Sequence, residues 1–296
     1  VFHALTGSAE VDAWWGGLLG PGRALDTARH AVLAANLPGS CYGSTGPREW
    51  RARGSGPFPA LTTRDLARAH EPLLDRLGVE RVALATGGSL GGMVALQWGA
   101  LTARAVDRLA VLAAPAVTSS QSIAWNVAQR MALEADPRWR DGLYPPDAPP
   151  AAGLAAARAI AMITYRSSAE FEERFGRRPS RQGDGLAVDA YLRRHGEKLV
   201  ERFDAASYAT LTEVMDRHDV GPLAEAALAT ARRVRHVVGV GVDTDILYPA
   251  AEVRGWVDQY RTHGAHATYA EIQSIAGHDA FLIELDQVGR ILTGDE

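Results

Sequence analysis

A serine stands between glycines in the segment Gly87-Gly88-Ser89-Leu90-Gly91. A serine hydroxyl is a weak nucleophile until a neighbouring base takes its proton, and it can then attack an acyl carbon and form an ester intermediate. Gly87 and Gly91, which have no side chains, leave room for a chain that turns sharply around the serine. The spacing indicates acyl chemistry at Ser89, although a glycine-rich turn with an incidental serine has the same pattern.

The residues on either side of this segment predict a strand before it and a helix after it. Residues 82–85 form an apolar run that is typical of a buried strand, and residues 94–98 read as the first turns of a helix. Strand, Gly-x-Ser-x-Gly and helix in that order form the nucleophile elbow of the α/β-hydrolases. Such a turn strains the serine backbone and places its oxyanion near the N–H groups that begin the helix.

An elbow serine needs a histidine base and an acid that orients the histidine, and both follow it in the chain. His278 comes after the last predicted strand, directly behind a glycine, and Asp245 comes just after the strand before it. The acid would hold the imidazole in the correct tautomer and stabilise the imidazolium. Asp243 competes with Asp245 for this role, and spacing alone does not choose between them.

The tetrahedral intermediate of acyl transfer needs two N–H donors for its oxyanion. One should be the backbone N–H of Leu90, directly after the nucleophile. The other should come from the loop after the first predicted strand, at Leu5 or Thr6.

The elements that position these residues follow an α/β order. Strands are predicted at residues 1–5, 30–35, 82–85, 106–113, 235–242 and 267–272. Helices are predicted between and after them, including one at residues 62–77 capped by Thr63 and a closing helix at residues 280–292. Connections of this length favour a mostly parallel sheet with helices on both faces. A strand that begins at Val1 leads us to expect a piece of a longer chain.

Residues 119–227 interrupt this order because they are rich in helix and poor in strand. A stretch of that length inside an α/β pattern predicts an inserted helical layer. At the carboxyl edge of the sheet it would cover the site as a lid. The predicted organisation is therefore a core of residues 1–118 and 228–296 with a helical lid of residues 119–227.

Composition excludes several classes of partner. The chain has 296 residues and a net charge of −4, which argues against nucleic acid or an anionic membrane as its main partner. It has one cysteine, Cys41, so it forms no internal disulfide, and we predict no metal site. There is no apolar run of about 18 residues and no visible signal peptide, so we expect a cytoplasmic protein.

Six motifs occur in one order along the chain, at residues 3–7, 43–47, 87–93, 163–165, 215–221 and 277–282. Together they closely resemble the homoserine O-acetyltransferase family, the α/β-hydrolase-fold acyltransferases of methionine biosynthesis. The resemblance runs from residue 1 to about residue 292. It implies acetyl transfer from acetyl-CoA, as a co-substrate, to L-homoserine by a ping-pong mechanism. It also implies a homodimer built through the lid helices and no tightly bound cofactor.

The resemblance also implies roles for individual residues. Residues 244–249 match the family pattern Ser-Asp-x-Leu-Phe-Pro, which selects Asp245 as the acid. Arg158 matches the residue that grips the homoserine carboxylate, a task suited to the fork of a guanidinium. Asp279 matches the ligand of the substrate ammonium. Without the family, Arg158 reads as a solvated arginine on an alanine-rich helix. Further pocket residues are implied at Arg130, Tyr208 and Asp216.

The sequence departs from the family at two places. Ala159 and Met162 stand where the family has methionine and histidine, so we expect different packing in the lid. Family members also carry several tens of residues before the motif at residues 3–7. Those residues form the antiparallel edge of the sheet, and this sequence does not contain them.

Other activities on the same fold remain open. The chemistry would be the same with succinyl-CoA as donor or L-serine as acceptor, and a serine esterase shares the fold. The pair of Arg158 and Asp279 distinguishes a transferase, because an esterase needs no clamp for a zwitterion. A non-catalytic binding module is a further class, against which the complete set of Ser89, Asp245 and His278 argues.

Overall fold

The computed structural model describes residues 1–181 and 185–294. Its regular strands form one sheet in which every neighbouring pair is parallel, in the order β1-β2-β3-β4. The strands are β1 (Arg81–Gly88), β2 (Ala105–Leu112), β3 (Val234–Val242) and β4 (Ala267–Ile272). Because parallel neighbours cannot be joined by tight turns, each connection between strands passes through helix.

The α-helices in the described ranges are mostly short and surround the sheet. They are α1 (Val11–Trp15), α2 (Pro47–Ala52), α3 (Thr63–Arg68), α4 (Glu71–Arg76), α5 (Leu90–Leu101), α6 (Ser120–Glu134), α7 (Ala151–Tyr165), α8 (Ser168–Arg174), α9 (Ala187–Val200), α10 (Ala205–Asp216), α11 (Leu223–Ala231), α12 (Ala250–Thr262), α13 (Ala280–Ile283) and α14 (Leu285–Thr293). Short 3₁₀ turns occur at Arg140–Gly142 and Gly277–Asp279. Within residues 1–181 and 185–294, no helix combines the length and apolar character that a membrane crossing needs.

Helices cover both faces of the sheet, because side chains along a strand alternate between its faces. In β2, Leu109 and Val111 join a core that includes α5 and α12. Ala110 and Leu112 join a second core that includes α1 and α14. The predicted α/β class, with a parallel sheet and helices on both faces, is therefore confirmed.

The two strands predicted at the start of the chain do not form regular ladders. The segment of residues 1–5 meets β1 through a hydrogen bond from Phe2 N to Thr86 O of 2.9 Å and an isolated parallel bridge. Residues 30–35 lie beside residues 1–5, and Val1 N donates to Leu33 O at 2.7 Å. Leu37 N donates to His3 Nε2 at 3.0 Å. A side chain therefore occupies a backbone N–H that the hydrogen bonds between two strands would otherwise use. The two segments lie side by side, but neither forms a regular strand. The prediction of strands at residues 1–5 and 30–35 is therefore wrong.

The helix predicted at residues 62–77 is two helices, α3 and α4. Pro72 has no N–H to continue a helical ladder, and it lies in the first turn of α4, where none is needed. The cap is also one residue earlier than predicted. Thr62 Oγ1 accepts from Asp65 N at 3.2 Å, whereas the Thr63 hydroxyl bonds to His218 Nδ1 at 2.8 Å. The predicted closing helix is divided as well, into α13 and α14.

Helices α6 to α11 lie between β2 and β3. Within them, α7 packs against both α6 and α9, and it also contacts the 3₁₀ turn Gly277–Asp279 after β4. Helix α11 differs from the others because it packs on α5 and α12, two helices that themselves pack against the sheet. The described helices of this stretch therefore reach the carboxyl end of the sheet, where the candidate site residues lie.

Candidate active site

Ser89 occupies the sharp turn between β1 and α5. Its backbone has φ 58° and ψ −126°, a left-handed conformation that costs a non-glycine residue energy and that surrounding structure must impose. A Cβ at Gly91 would lie 2.2 Å from Phe2 O, and one at Gly87 would lie 2.6 Å from the Gly91 carbonyl. The turn closes only because both positions are glycine, as the sequence pattern predicts.

Asp245 and His278 form a buried pair on the loops after β3 and β4. A hydrogen bond of 2.7 Å joins His278 Nδ1 to Asp245 Oδ2. The other carboxylate oxygen of Asp245 accepts from Leu247 N at 2.8 Å and Tyr248 N at 3.0 Å. The rival acid, Asp243, is exposed and accepts from Ser274 N at 3.0 Å. The geometry thus pairs His278 with Asp245.

Aromatic rings enclose His278, and one of them, Phe281, also packs against the turn of Ser89. The ring centroids of Tyr165, Tyr248 and Phe281 lie 5.7, 5.2 and 5.7 Å from its own. A Cβ at Gly88, next to Ser89, would lie 2.3 Å from the Phe281 ring. His278 Nε2 is buried and has no hydrogen-bond partner among the described residues.

The electrostatic surroundings of His278 favour its protonated form. Burial by itself lowers the pKa of the imidazole, but the charge and the hydrogen bond of Asp245, helped by Asp279, outweigh burial and raise it. A raised pKa makes the ring a stronger base. An imidazole held at Nδ1 by a carboxylate is the arrangement that accepts a proton at Nε2.

The predicted oxyanion donors belong to segments that pack against each other. Leu90 is the first residue of α5, and the backbone of residues 2–3 lies against Gly91 of the same helix. The N–H groups of Leu5 and Thr6 have no acceptor in the part of the chain that the structure describes. Arg202 fixes this loop by donating to Thr6 O at 2.7 Å and to the Tyr42 hydroxyl at 3.0 Å. The roles of Leu5, Thr6 and Leu90 remain predictions.

Charged groups of opposite sign lie in the surroundings of the His278 ring. Asp279, the next residue, pairs with Arg166 at 3.1 Å. Arg158 on α7 places its guanidinium carbon 5.3 Å from the centroid of Tyr165, the ring that contacts His278. Burial raises the pKa of Asp279, while Arg166, His278 and Arg158 oppose that rise. The site can therefore offer an anion and a cation to one small substrate.

The three remaining predicted pocket residues lie between α6 and α10, where protein groups already pair with them. Arg130 forms an ion pair of 2.5 Å with Asp216, which also accepts from Asn126 Nδ2 at 2.8 Å. The Tyr208 hydroxyl donates to Gln129 Oε1 at 2.5 Å. Their predicted contact with substrate stays a prediction.

Two residues of the site had no role assigned from the sequence, Tyr165 and Arg166. Tyr165 ends the motif at residues 163–165, which carries the family resemblance, and Arg166 follows it directly. The motif was therefore a signal of importance without an indication of chemistry.

In residues 1–181 and 185–294, no group of three or more His, Cys, Asp or Glu side chains is arranged to hold a metal ion.

Comparisons with known proteins support this fold. A family model described as the alpha/beta hydrolase fold matches residues 1–211. The crystal structure of esterase E22 superimposes with a TM-score of 0.86 at 20% identity, covering 99% of this chain and 87% of the esterase, which supports the fold alone. The fold and the site define an enzyme of the α/β-hydrolase class.

Sequence relatives narrow this class. The homoserine O-acetyltransferase of Salinibacter ruber is 44% identical over 304 residues, covering 99% of this chain and 85% of that protein. A crystal structure of homoserine O-acetyltransferase from Staphylococcus aureus has a TM-score of 0.79 at 29% identity and covers 99% of this chain and 83% of its own. The chain belongs to the homoserine O-acetyltransferase family, and it is an acyltransferase.

Proposed function

We propose that this protein transfers the acetyl group of acetyl-CoA to the hydroxyl of L-homoserine, in the biosynthesis of methionine. The observation that carries the proposal is that Asp279 and Arg158, which have opposite charges, both lie close to Tyr165, the ring that contacts His278. Groups of opposite charge beside an acyl-transfer site suit an acceptor with both an ammonium and a carboxylate. The names of the relatives support the same acceptor.

In the first half-reaction, Ser89 Oγ attacks the thioester carbon and its proton passes to His278 Nε2. The N–H groups of Leu90 and of Leu5 or Thr6 hold the oxyanion. The carbon–sulfur bond then breaks, the thiolate takes a proton from His278, and CoA leaves. An acetyl ester on Ser89 remains. Asp245 supports the imidazolium throughout, which its hydrogen bond of 2.7 Å to His278 allows.

In the second half-reaction, L-homoserine enters with its carboxylate toward Arg158 and its ammonium toward Asp279. His278 removes the proton of the substrate hydroxyl, whose oxygen attacks the acetyl carbon. The bond to Ser89 Oγ breaks, His278 returns the proton, and O-acetyl-L-homoserine leaves. Arg130, Tyr208 and Asp216 complete the walls of the pocket in this proposal.

Transfer must outrun attack by water on the acetyl ester, so the site must exclude solvent. We assign this task to residues 119–227 as a lid, supported by the contact of α7 with the turn that carries His278. We further propose a cytoplasmic homodimer formed through the lid helices. Acetyl-CoA acts as a co-substrate, and the proposed chemistry needs no tightly bound cofactor.

The test measures CoA released from acetyl-CoA with a thiol reagent, with and without L-homoserine. Release that depends on L-homoserine and is lost in Ser89→Ala supports the proposal. The product must also contain the acetyl group on the homoserine oxygen, which mass spectrometry checks. Parallel reactions with succinyl-CoA as donor and L-serine as acceptor test the two close variants of the chemistry.

Hydrolysis is the second candidate, because serine esterases share this fold and differ in using water as the acceptor. If water is the acceptor, CoA release proceeds equally fast without L-homoserine, and simple acetyl esters are also cleaved. CoA release that is equally fast without L-homoserine, and that is abolished in Ser89→Ala, would replace the transferase proposal by hydrolysis.

A further inference from the structure

Four charged side chains of alternating sign lead from the surface of α8 to the turn that carries His278. Arg174 pairs with Glu170 at 3.2 Å, Glu170 with Arg166 at 3.1 Å, and Arg166 with Asp279 at 3.1 Å. Arg174 is half-exposed, whereas the side chains of Glu170, Arg166 and Asp279 are only 13%, 13% and 17% exposed. The inner three groups therefore interact with little screening by water.

The backbone around Arg166 is fixed on both sides. Helix α7 ends at Tyr165, and Ser167 caps α8 by accepting from Glu170 N at 3.1 Å. The Ser167 hydroxyl also donates to Ile275 O, two residues before the turn that carries His278. Arg166 thus bridges the helical segment and the catalytic turn from a rigid position.

Glu170 holds one end of the Arg166 guanidinium and leaves the other for Asp279. Nη1 donates to both carboxylate oxygens of Glu170, at 3.1 and 3.2 Å, while Nη2 faces Asp279 Oδ2. A guanidinium anchored at one edge presents its other edge in a defined direction. Asp279 therefore has a fixed orientation relative to His278.

Asp279 is the innermost group of this series of charges. Burial raises the pKa of Asp279, and Arg166 is the strongest of the influences that oppose this rise. The four groups carry two positive and two negative charges, and Asp279 is the anion at the inner end of the series. A cationic ligand beside Asp279 would continue the alternation of charge.

We propose that Arg166, anchored by Glu170, is a positioning residue that aims Asp279 at the ammonium of the acceptor and thereby sets the preference for an amino-acid acceptor. This inference rests on the proposed function. Arg166 touches Asp279 and not the reacting atoms, so its effect falls on the second half-reaction. Formation of the acetyl ester on Ser89 does not involve an ammonium and remains unaffected.

The test compares two acceptors, L-homoserine and 4-hydroxybutanoate, which lacks only the ammonium. In Arg166→Met, we expect kcat/KM for L-homoserine to fall about 10-fold or more, and kcat/KM for 4-hydroxybutanoate to change by less than about 3-fold. Acetylation of Ser89, followed by mass spectrometry of the intact protein, keeps its rate. The matched control is Arg193→Met, which removes an exposed arginine paired with Asp189 on α9 at 3.0 Å and leaves both acceptors unchanged.

Two milder variants keep the test decisive if Arg166→Met does not fold. Arg166→Lys retains the charge without the fork, and Glu170→Gln retains Arg166 without its anchor. We expect each to lower the ratio of the two kcat/KM values, Arg166→Lys less than Glu170→Gln. An unchanged ratio in folded variants, or equal losses for both acceptors, overturns the inference. If the wild-type chain itself shows no preference for L-homoserine, the proposed function fails, which is a separate result.

Discussion

Gly277 packs directly on the backbone of Ser167. A Cβ added at position 277 would lie 2.7 Å from Ser167 N, and the glycine has φ +68°. Two segments more than a hundred residues apart in the chain therefore meet backbone to backbone beside His278. The contact ties the junction of α7 and α8 to the turn that holds the proposed base.

Gly277→Ala tests this contact. The left-handed backbone costs an alanine about 1 kcal/mol, and the clash with Ser167 adds about 1–3 kcal/mol to the loss of unfolding free energy. Gly264→Ala is the matched control, because Gly264 has φ +89° and nothing within 4 Å of a Cβ. Urea unfolding measures both, and we also expect kcat to fall in Gly277→Ala alone. Equal destabilisation by the two substitutions would show that position 277 has room for a side chain.

Arg130→Gln tests the pair between α6 and α10. Both partners are 14% exposed, so the substitution leaves the carboxylate of Asp216 in a poorly hydrated place without its cation, while the hydrogen bond from Asn126 remains. We expect a loss of about 3 kcal/mol in the free energy of unfolding. Arg81→Gln removes an ion pair of the same length at the surface and should have no measurable effect. Similar stabilities of the two variants would contradict this account of the buried pair.

The sequence was sufficient for the elbow at Ser89, because a strand, two glycines and a helix are all local signals. It also located His278 and two candidate acids, since chain order constrains where these residues fall. It could not choose Asp245 over Asp243 without the family, because the choice depends on which carboxylate turns inward. The structure separates the two by burial and by the hydrogen bond to His278.

Other features depend on partners that are distant in the chain, and here sequence reasoning was weaker. The apolar runs at residues 1–5 and 30–35 indicated strands, but an apolar run does not show whether a ladder of hydrogen bonds forms beside it. The ion pair of Arg166 and Asp279 joins the end of α7 to the turn after β4, and no local sequence pattern predicts it. The break before α4 is the exception, because Pro72, which has no N–H to continue a helix, is a local signal for it.

Asp245→Asn should abolish the base function of His278 while preserving the fold. The two backbone donors at Leu247 and Tyr248 require an oxygen, so the new amide NH₂ group faces His278 Nδ1. Nδ1 must then accept, the ring proton moves to Nε2, and Nε2 can no longer take the Ser89 proton. We expect kcat to fall about 10⁴-fold.

The control for this variant is Asp243→Asn, which alters an exposed carboxylate and should retain activity within about 2-fold. Thermal unfolding should show both variants folded. A large loss in Asp243→Asn together with an active Asp245→Asn would reverse the assignment of the acid.

The pH dependence of acetyl-enzyme formation reports the pKa of His278. The base must be neutral to accept a proton, so the rate rises with pH and reaches half its maximum near that pKa. Because Asp245 raises the pKa above the ordinary value of 6.5, the midpoint should lie above 6.5. In Asp245→Asn the lowering effect of burial is opposed by the smaller influence of Asp279, so the midpoint of the residual activity should move down.

The same shift has a consequence for stability. A pKa raised in the folded state means that the imidazolium stabilises the fold fully below pH 6.5, and that this contribution is lost as the pH rises through the folded value. His278→Gln should therefore cost more stability relative to wild type at about pH 5 than at about pH 9. Urea unfolding at the two pH values measures the difference. A larger cost at the higher pH would mean that burial, and not Asp245, dominates the surroundings of His278.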